Sequence, residues 1–158
     1  MGQFIFDQLS FARQSLINTV KEIGEIQADI VPEGFNNSIR WNLGHVCVVQ
    51  ERFSFFFADE PMGIPNEFLE LFSAGTKPSD WKIKPPTLQE LDKILREQPN
   101  RIRERLYGRL DEVIANPFSR IPGITLKTFD ELLTFSLFHE GQHIQAVKML
   151  IKLTSNLG

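Results

Sequence analysis

Apolar residues recur along this chain in four long stretches, at the three- and four-residue spacing of helices that bury one face. The first stretch covers residues 5–23 and ends at Gly24, which predicts a helix closed by a glycine C-cap. The second covers residues 39–57 and follows the capping residues 36–38, Asn-Asn-Ser. Both stretches are long enough to span a domain.

The third and fourth stretches each begin with a capping box, in which a threonine precedes a glutamate by three residues. Residues 87–90 (TLQE) predict a helix that continues to Leu106, and Pro99 should kink it or split it. Residues 128–131 (TFDE) predict a last helix that continues to about Leu153. The pattern therefore predicts four helices.

A long connection, residues 58–86, separates the second and third helices and is rich in proline and glycine. It holds one short helical candidate at residues 67–72. We interpret it as a crossover between non-adjacent helices of a four-helix bundle, with a lid over an open site as an added role. No alternating pattern predicts a strand, so the expected class is all-α, with a long crossover loop between helices 2 and 3.

Length and composition predict a single soluble domain covering residues 1–158. A formal net charge of −3 and a pI near 5.6 provide no basic surface for nucleic acid, and no apolar run is long enough for a membrane span. The single cysteine, Cys47, rules out an intramolecular disulfide and is interpreted as a small core residue. The start of the chain lacks the pattern of a signal peptide, which predicts a cytoplasmic location.

The chain has three histidines, and two of them form the sequence His139-Glu140-Gly141-Gln142-His143. Positions i and i+4 share one helix face, so both imidazoles can reach one metal ion. The pattern also matches H-E-x-x-H, the zinc-protease helix motif. However, residues 144–158 contain no His, Asp, Glu or Cys, so a third ligand could come only from His45, far upstream. The metalloprotease reading is therefore disfavoured.

The alternative for His139 and His143 is two half-buried histidines that hydrogen-bond to neighbours. A shared metal is favoured because all three histidines lie on predicted inward stripes, where an unpaired imidazole is costly, and three imidazoles suit Zn²⁺ or Ni²⁺. Glu140 lies about 100° around the helix from His139, so it edges the site or, as we expect, faces solvent. A di-iron site is disfavoured because Asn42 stands where a second carboxylate would be needed.

The chain resembles the DinB-like (DinB/YfiT) superfamily of bacterial four-helix proteins. The matching residues are the second-helix sequence of residues 38–45 (SIRWNLGH), the Gly/Pro-containing loop after it, and the H-x-x-x-H of the last helix. The resemblance covers essentially the whole chain. It implies an up-up-down-down bundle, frequently dimeric, with zinc or nickel held by His45, His139 and His143.

For function the resemblance implies less. Several members resemble metal-dependent transferases or isomerases that use a low-molecular-weight thiol such as bacillithiol or mycothiol as co-substrate, with a small-molecule acceptor. One hypothesis is therefore a metal-dependent thiol S-transferase, and its rival is a non-catalytic metal-binding or stress-associated protein. A hydrolase that uses Glu140 as base is a third hypothesis. The three histidines are expected to bind the metal, and the sequence identifies no catalytic or thiol-binding residue.

Overall fold

Helices account for most of the chain in the computed structural model, which describes residues 3–155. Within these residues the elements follow the order α1 (Gln3–Val20), α2 (Glu25–Asp29), α3 (Ile39–Ser54), α4 (Glu67–Phe72), α5 (Leu88–Leu106), β1 (Val113–Ile121), β2 (Ile124–Thr128) and α6 (Phe129–Thr154). Short 3₁₀ turns occupy Phe56–Ala58 and Pro78–Asp80. None of the described helices combines the length and the apolarity that crossing a membrane requires.

The four long helices pack around two clusters of buried apolar residues, and α1 and α3 each contact both α5 and α6. Side-chain contacts give the directions of these helices. Asp7 contacts Arg103 and Arg13 contacts Gln98, so α1 is antiparallel to α5. Gln98 contacts Cys47 and Arg101 contacts Glu51, so α5 is parallel to α3. Asn42 contacts His143 and Phe53 contacts Phe135, so α3 is antiparallel to α6.

In chain order the long helices α1, α3, α5 and α6 therefore run up, down, down and up, which corrects the expected up-up-down-down order. The physical reason lies in the connections. Residues 21–38, which hold only the short α2, return the chain antiparallel to α1, whereas residues 55–87 travel back along the whole length of α3 before α5 begins. That long segment joins α3 and α5, which are in contact, so it is a crossover between neighbouring helices and not between non-adjacent ones.

Both predicted capping boxes are present, at Thr87 and Thr128, and each threonine side chain accepts a hydrogen bond from the backbone three residues later. Ser38 caps α3 in the same way, through the backbone N–H of Trp41. Pro99 does not split α5, which continues as one helix from Leu88 to Leu106. The second helix is shorter than predicted, because α3 ends at Ser54.

Gly24 does not close the first helix. The last helical residue of α1 is Val20, and Gly24 instead precedes α2, with an ordinary φ of −86°. In α2, Glu25 and Asp29 both pair with the buried guanidinium of Arg40 on α3, each at 2.6 Å. The segment after α1 is therefore fixed to α3 by charge-assisted hydrogen bonds, which a pattern of apolar residues cannot reveal.

A β-hairpin between α5 and α6 corrects the all-α prediction: the protein is mostly helical with one small antiparallel sheet. Phe118 of β1 pairs with Leu126 of β2, and register irregularities flank this pair. Pro122 and Gly123 form the turn, where Gly123 has a φ of 79°, a value that favours glycine. The alternating signal was absent because β1 buries only Ile114 fully and exposes most of its other residues.

The crossover segment packs onto α3 through α4, which buries Phe68, Leu71 and Phe72 in the core. The contact is close at Gly44, because a Cβ at that position would lie 2.4 Å from the ring of Phe72. The segment predicted as a loop with a short helix at residues 67–72 is therefore anchored on α3. Phe72, which makes this contact, also lies next to His45, the residue that follows Gly44.

Candidate metal centre

The three histidines of the sequence meet at the interface of α3 and α6. His45 projects from α3, and His139 and His143 project from one face of α6, one turn apart. One ring nitrogen of each lies within 4.8 Å of the corresponding nitrogens of the other two. The site that the spacing predicted is thus assembled in space and is arranged so that it could hold one metal ion.

His45 is buried and is fixed from two sides. Its Nδ1–H donates a hydrogen bond of 2.7 Å to the carbonyl oxygen of Phe72, which can only accept, so the lone pair must lie on Nε2. The indole of Trp41 stacks on the imidazole at 4.4 Å between ring centroids and is itself held by a hydrogen bond from Nε1 to the hydroxyl of Thr76. Phe72 and Thr76 both belong to the crossover segment, so this segment holds His45 directly and Trp41 beside it.

His143 is oriented by Asn42, one turn before His45 on α3. The Asn42 side-chain nitrogen donates to the carbonyl of Ser38 at 2.8 Å, so its oxygen faces His143 and accepts the Nδ1–H of that ring, also at 2.8 Å. This arrangement again leaves Nε2 with the lone pair. A hydrogen bond at the second ring nitrogen is the usual support of a metal-binding histidine.

His139 has one polar contact among the described residues, from its Nε2 to the Nε2 of His143 at 3.1 Å. Without a metal this distance suits a hydrogen bond from a protonated Nε2 of His139. With a metal it also suits two ligands of one ion, because metal–nitrogen distances of about 2.0–2.1 Å at a tetrahedral angle separate two nitrogens by roughly 3.3 Å. The donor set therefore fits a borderline ion such as zinc or nickel.

Burial keeps the three imidazoles neutral and ready to ligate. It lowers the pKa of His139 to about 3, with the neighbouring His143 and His45 adding to the effect, and lowers that of His143 to about 4, with His45 adding to it. The pKa of His45 is lowered as well, by burial, and its bond to the Phe72 carbonyl opposes this only in part. Neutral imidazole is the form that binds a metal.

Glu140 lies in the core, which corrects the prediction that it faces solvent. Its side chain is 2% exposed, and both carboxylate oxygens accept from the guanidinium of Arg13 on α1, at 2.8 and 3.3 Å. A carboxylate whose two oxygens are both engaged by a guanidinium is not placed to act as a base at the triad. The sequence matches H-E-x-x-H, but Glu140 does not have the position that the glutamate of that motif requires.

This ion pair belongs to a larger buried network that the sequence analysis missed. Arg13 also donates to the Gln98 side chain, which in turn donates to Glu51 at 2.9 Å, and Glu51 pairs with Arg101. The network joins α1, α5, α3 and α6. One signal was available: Arg13 lies on the apolar stripe of α1 between Leu9 and Leu16, where a cation needs a buried partner.

The sequence interpretation of Cys47 is settled by its surroundings. Cys47 is fully buried, and burial raises the pKa of its thiol to about 12, so it is a core residue as predicted. Arg52 projects from the last turn of α3, and its guanidinium lies over the ring of Phe56 at 5.0 Å from the ring centroid.

A family model for the DinB superfamily matches residues 8–147. The matched segment includes the three histidines, Asn42 and the whole crossover. The chain therefore belongs to the DinB superfamily, as the sequence motifs indicated. A search of curated proteins finds none that matches it at a significant level.

Proposed function

We propose that this protein is a metal-dependent transferase that activates a low-molecular-weight thiol, such as bacillithiol, for attack on a small-molecule electrophile. The carrying observation is that three imidazoles from two helices converge within 4.8 Å in a DinB-superfamily chain. We take His45, His139 and His143 as the ligands of one divalent ion, zinc or nickel. An ion held there would supply a positive charge that lowers the pKa of a thiol or water.

The surrounding residues would position this centre. The Phe72 carbonyl and the Asn42 amide oxygen each hold an Nδ1–H, and they thereby aim two Nε2 lone pairs at a common point. Trp41 covers one face of His45 and excludes water from it. His139 and His143 remain partly exposed, so the centre is accessible from the α6 side. Three protein ligands with an accessible side are typical of catalytic centres.

The rival function is a non-catalytic metal-binding or stress-associated protein, in which the same triad ties α3 to α6. The burial of His45 and its bond to the crossover favour a structural contribution, and the partial exposure of the other two histidines favours catalysis. The hydrolase alternative has no comparable support, because the Glu140 carboxylate is paired with Arg13.

The remaining parts of the proposal concern the whole molecule. We propose one DinB-like domain over residues 1–158, in which the four long helices form the four-helix bundle of the superfamily. We further propose a cytoplasmic location, a small-molecule substrate, no nucleic-acid or membrane partner, and a homodimer. Sedimentation of the purified protein would test the last point.

The deciding experiment compares metal-loaded, metal-free and His45→Ala protein in conjugating a small electrophile to bacillithiol or a related thiol. The proposal expects a rate that requires both metal and His45. Glu140→Gln serves as the second comparison, and its folded fraction should keep most of the rate, because no base is needed at that position. A panel without any metal-dependent rate would leave the structural rival ahead, and metal-dependent hydrolysis abolished by Glu140→Gln would favour the hydrolase.

A further inference from the structure

Two arginines of this chain stand apart from the others. Seven of the nine form ion pairs with carboxylates, whereas Arg52 and Arg120 form none with any residue of 3–155. Both lie beside the turn that follows α3. The Arg52 guanidinium lies 5.0 Å from the ring centroid of Phe56 and 6.0 Å from that of Phe57. Arg120 lines a cavity together with the same two phenylalanines.

The cavity lies between this turn and strand β1 and has a volume of about 660 Å³. That volume falls within the range of roughly 300–1,000 Å³ that is typical of small-molecule sites. Aromatic rings form much of its wall, because Phe57 and Phe118 contact each other edge to face at 5.1 Å and Phe56 is 48% exposed. A flat apolar ligand could stack on these rings and bury their exposed surface.

The charges around the cavity favour an anion. Two carboxylates line it, Asp59 and Glu60. Glu60 is neutralised by Arg105 and Arg109, each at 2.7 Å, so it adds little to the field within the cavity. Asp59 directly follows the 3₁₀ turn, is exposed and forms no ion pair with any residue of 3–155. Arg120 in the cavity wall and Arg52, which lies over the ring of the wall residue Phe56, therefore outnumber the one unpaired carboxylate.

We propose that this cavity binds a small organic anion with an aromatic body, whose carboxylate contacts Arg52 and Arg120 while its ring stacks on Phe56, Phe57 and Phe118. Guanidinium groups match the geometry of a carboxylate and bind it by charge-assisted hydrogen bonds. The site is distinct from the metal centre, because none of the three histidines lines the cavity and α3 continues for nine residues beyond His45, roughly 14 Å, before the turn begins. The proposal is thus independent of the transferase function.

Calorimetric titration of the full-length, metal-loaded protein with 1-naphthoate and with its neutral amide tests the proposal. The expected result is a dissociation constant for naphthoate of about 1 mM or lower, at least tenfold below that of the amide. Arg52→Gln and Arg120→Gln should each remove most of that preference, and Arg52→Lys should retain part of it. Asp59→Asn should strengthen naphthoate binding about twofold to threefold, because it removes the opposing charge.

Two controls separate this site from other sources of anion binding. Arg96→Gln removes an exposed arginine that is paired with Asp92, and it should leave the preference unchanged. His45→Ala removes a metal ligand, and it should also leave it unchanged, since the carboxylate does not need the metal. Equal affinities for naphthoate and its amide, a preference that survives both arginine-to-glutamine changes, or a preference lost in His45→Ala would each overturn the proposal. Circular dichroism confirms the fold of every variant.

Discussion

The side-chain oxygen of Asn42 on α3 accepts the Nδ1–H of His143 on α6 at 2.8 Å, so one helix sets the orientation of a candidate ligand on the other. Asn42 can do this because its own amide nitrogen is held by the carbonyl of Ser38. The capping turn of α3 thereby reaches the candidate metal centre through two hydrogen bonds. Sequence spacing alone placed Asn42 only as a missing di-iron carboxylate.

Replacing Asn42 with alanine should therefore weaken metal binding without removing a ligand. Loss of such a supporting hydrogen bond typically costs about 10- to 100-fold in metal affinity. Asn42→Asp keeps an acceptor and should lose less, whereas Asn100→Ala, on an exposed part of α5, should change nothing. Competition with a chromophoric chelator measures all three affinities. An Asn42→Ala protein with wild-type affinity would show that His143 needs no support.

Metal binding itself should be stoichiometric, with about one divalent ion per chain, because the described residues assemble a single histidine triad. Elemental analysis after gentle purification and after reloading of the stripped protein measures this. His45→Ala should weaken binding as severely as His143→Ala, since both rings supply a fixed Nε2. If His45→Ala binds as tightly as the unaltered protein, the site belongs to α6 alone.

The contact between Gly44 and Phe72 provides a test of the crossover. Gly44→Ala would place a Cβ 2.4 Å from the Phe72 ring, so α4 must move and the carbonyl that holds His45 moves with it. We expect a loss of about 1–3 kcal/mol in the free energy of unfolding, the usual cost of overpacking, together with weaker metal binding. The matched control is Gly141→Ala, where no atom lies within 4 Å and a helical alanine should be neutral or stabilising by up to about 1 kcal/mol. Chemical denaturation compares the two, and equal effects would contradict the close packing.

Removing the charge of Glu140 from its buried pair with Arg13 should lower the free energy of unfolding substantially. Glu140→Gln would leave the Arg13 charge buried without its partner, and the expected cost is about 3 kcal/mol or more. Asp92→Asn breaks an exposed pair with Arg96 and should cost about 0.5 kcal/mol or less. Urea unfolding of both variants distinguishes a structural carboxylate from a catalytic one, because a catalytic Glu140 could be replaced at little cost in stability.

Much of the fold could be read from the sequence, because each long helix has an apolar stripe and three of them have clear capping residues. The grouping of the three histidines was equally accessible, since only three histidines exist and two share a helix face. The hairpin was harder. Its strand β1 interrupts any alternation with Asn116 and Pro117, and its clearest signal was the Pro122-Gly123 turn, a dipeptide that marks turns.

The burial of Glu140 could not be predicted from the sequence pattern. A glutamate on the flank of an amphipathic helix is normally solvated, and only the arrival of Arg13 from another helix makes its burial tolerable. The same holds for Asn42 and the Phe72 carbonyl, whose roles depend on distances between segments that are far apart in the chain. Local patterns specify elements and ligand types, whereas the partners of buried polar groups are properties of the packed structure.

Acidification should destabilise the metal-free protein before its carboxylates titrate. The folded-state pKa is about 3 for His139 and about 4 for His143, below the unfolded value of 6.5. Below about pH 6.5 the unfolded chain binds protons that the folded chain does not, so stability present at pH 7 is lost as the pH falls through 6.5 towards 4. The loss is at most about 1.4 kcal/mol per pH unit for each histidine, and less here because both rings are partly exposed.

Thermal unfolding of the metal-free protein between pH 6.5 and 4.5 measures this effect, since most carboxylates titrate below about pH 4.5. The melting temperature should fall steadily across that window. In the double variant His139→Gln, His143→Gln the slope should be clearly smaller, because His45 is then the only histidine left to take up a proton. Equal slopes in the two proteins would mean that the imidazoles of α6 are protonated as easily in the folded chain as in the unfolded one, and that the triad is not preorganised in the neutral form that a metal requires.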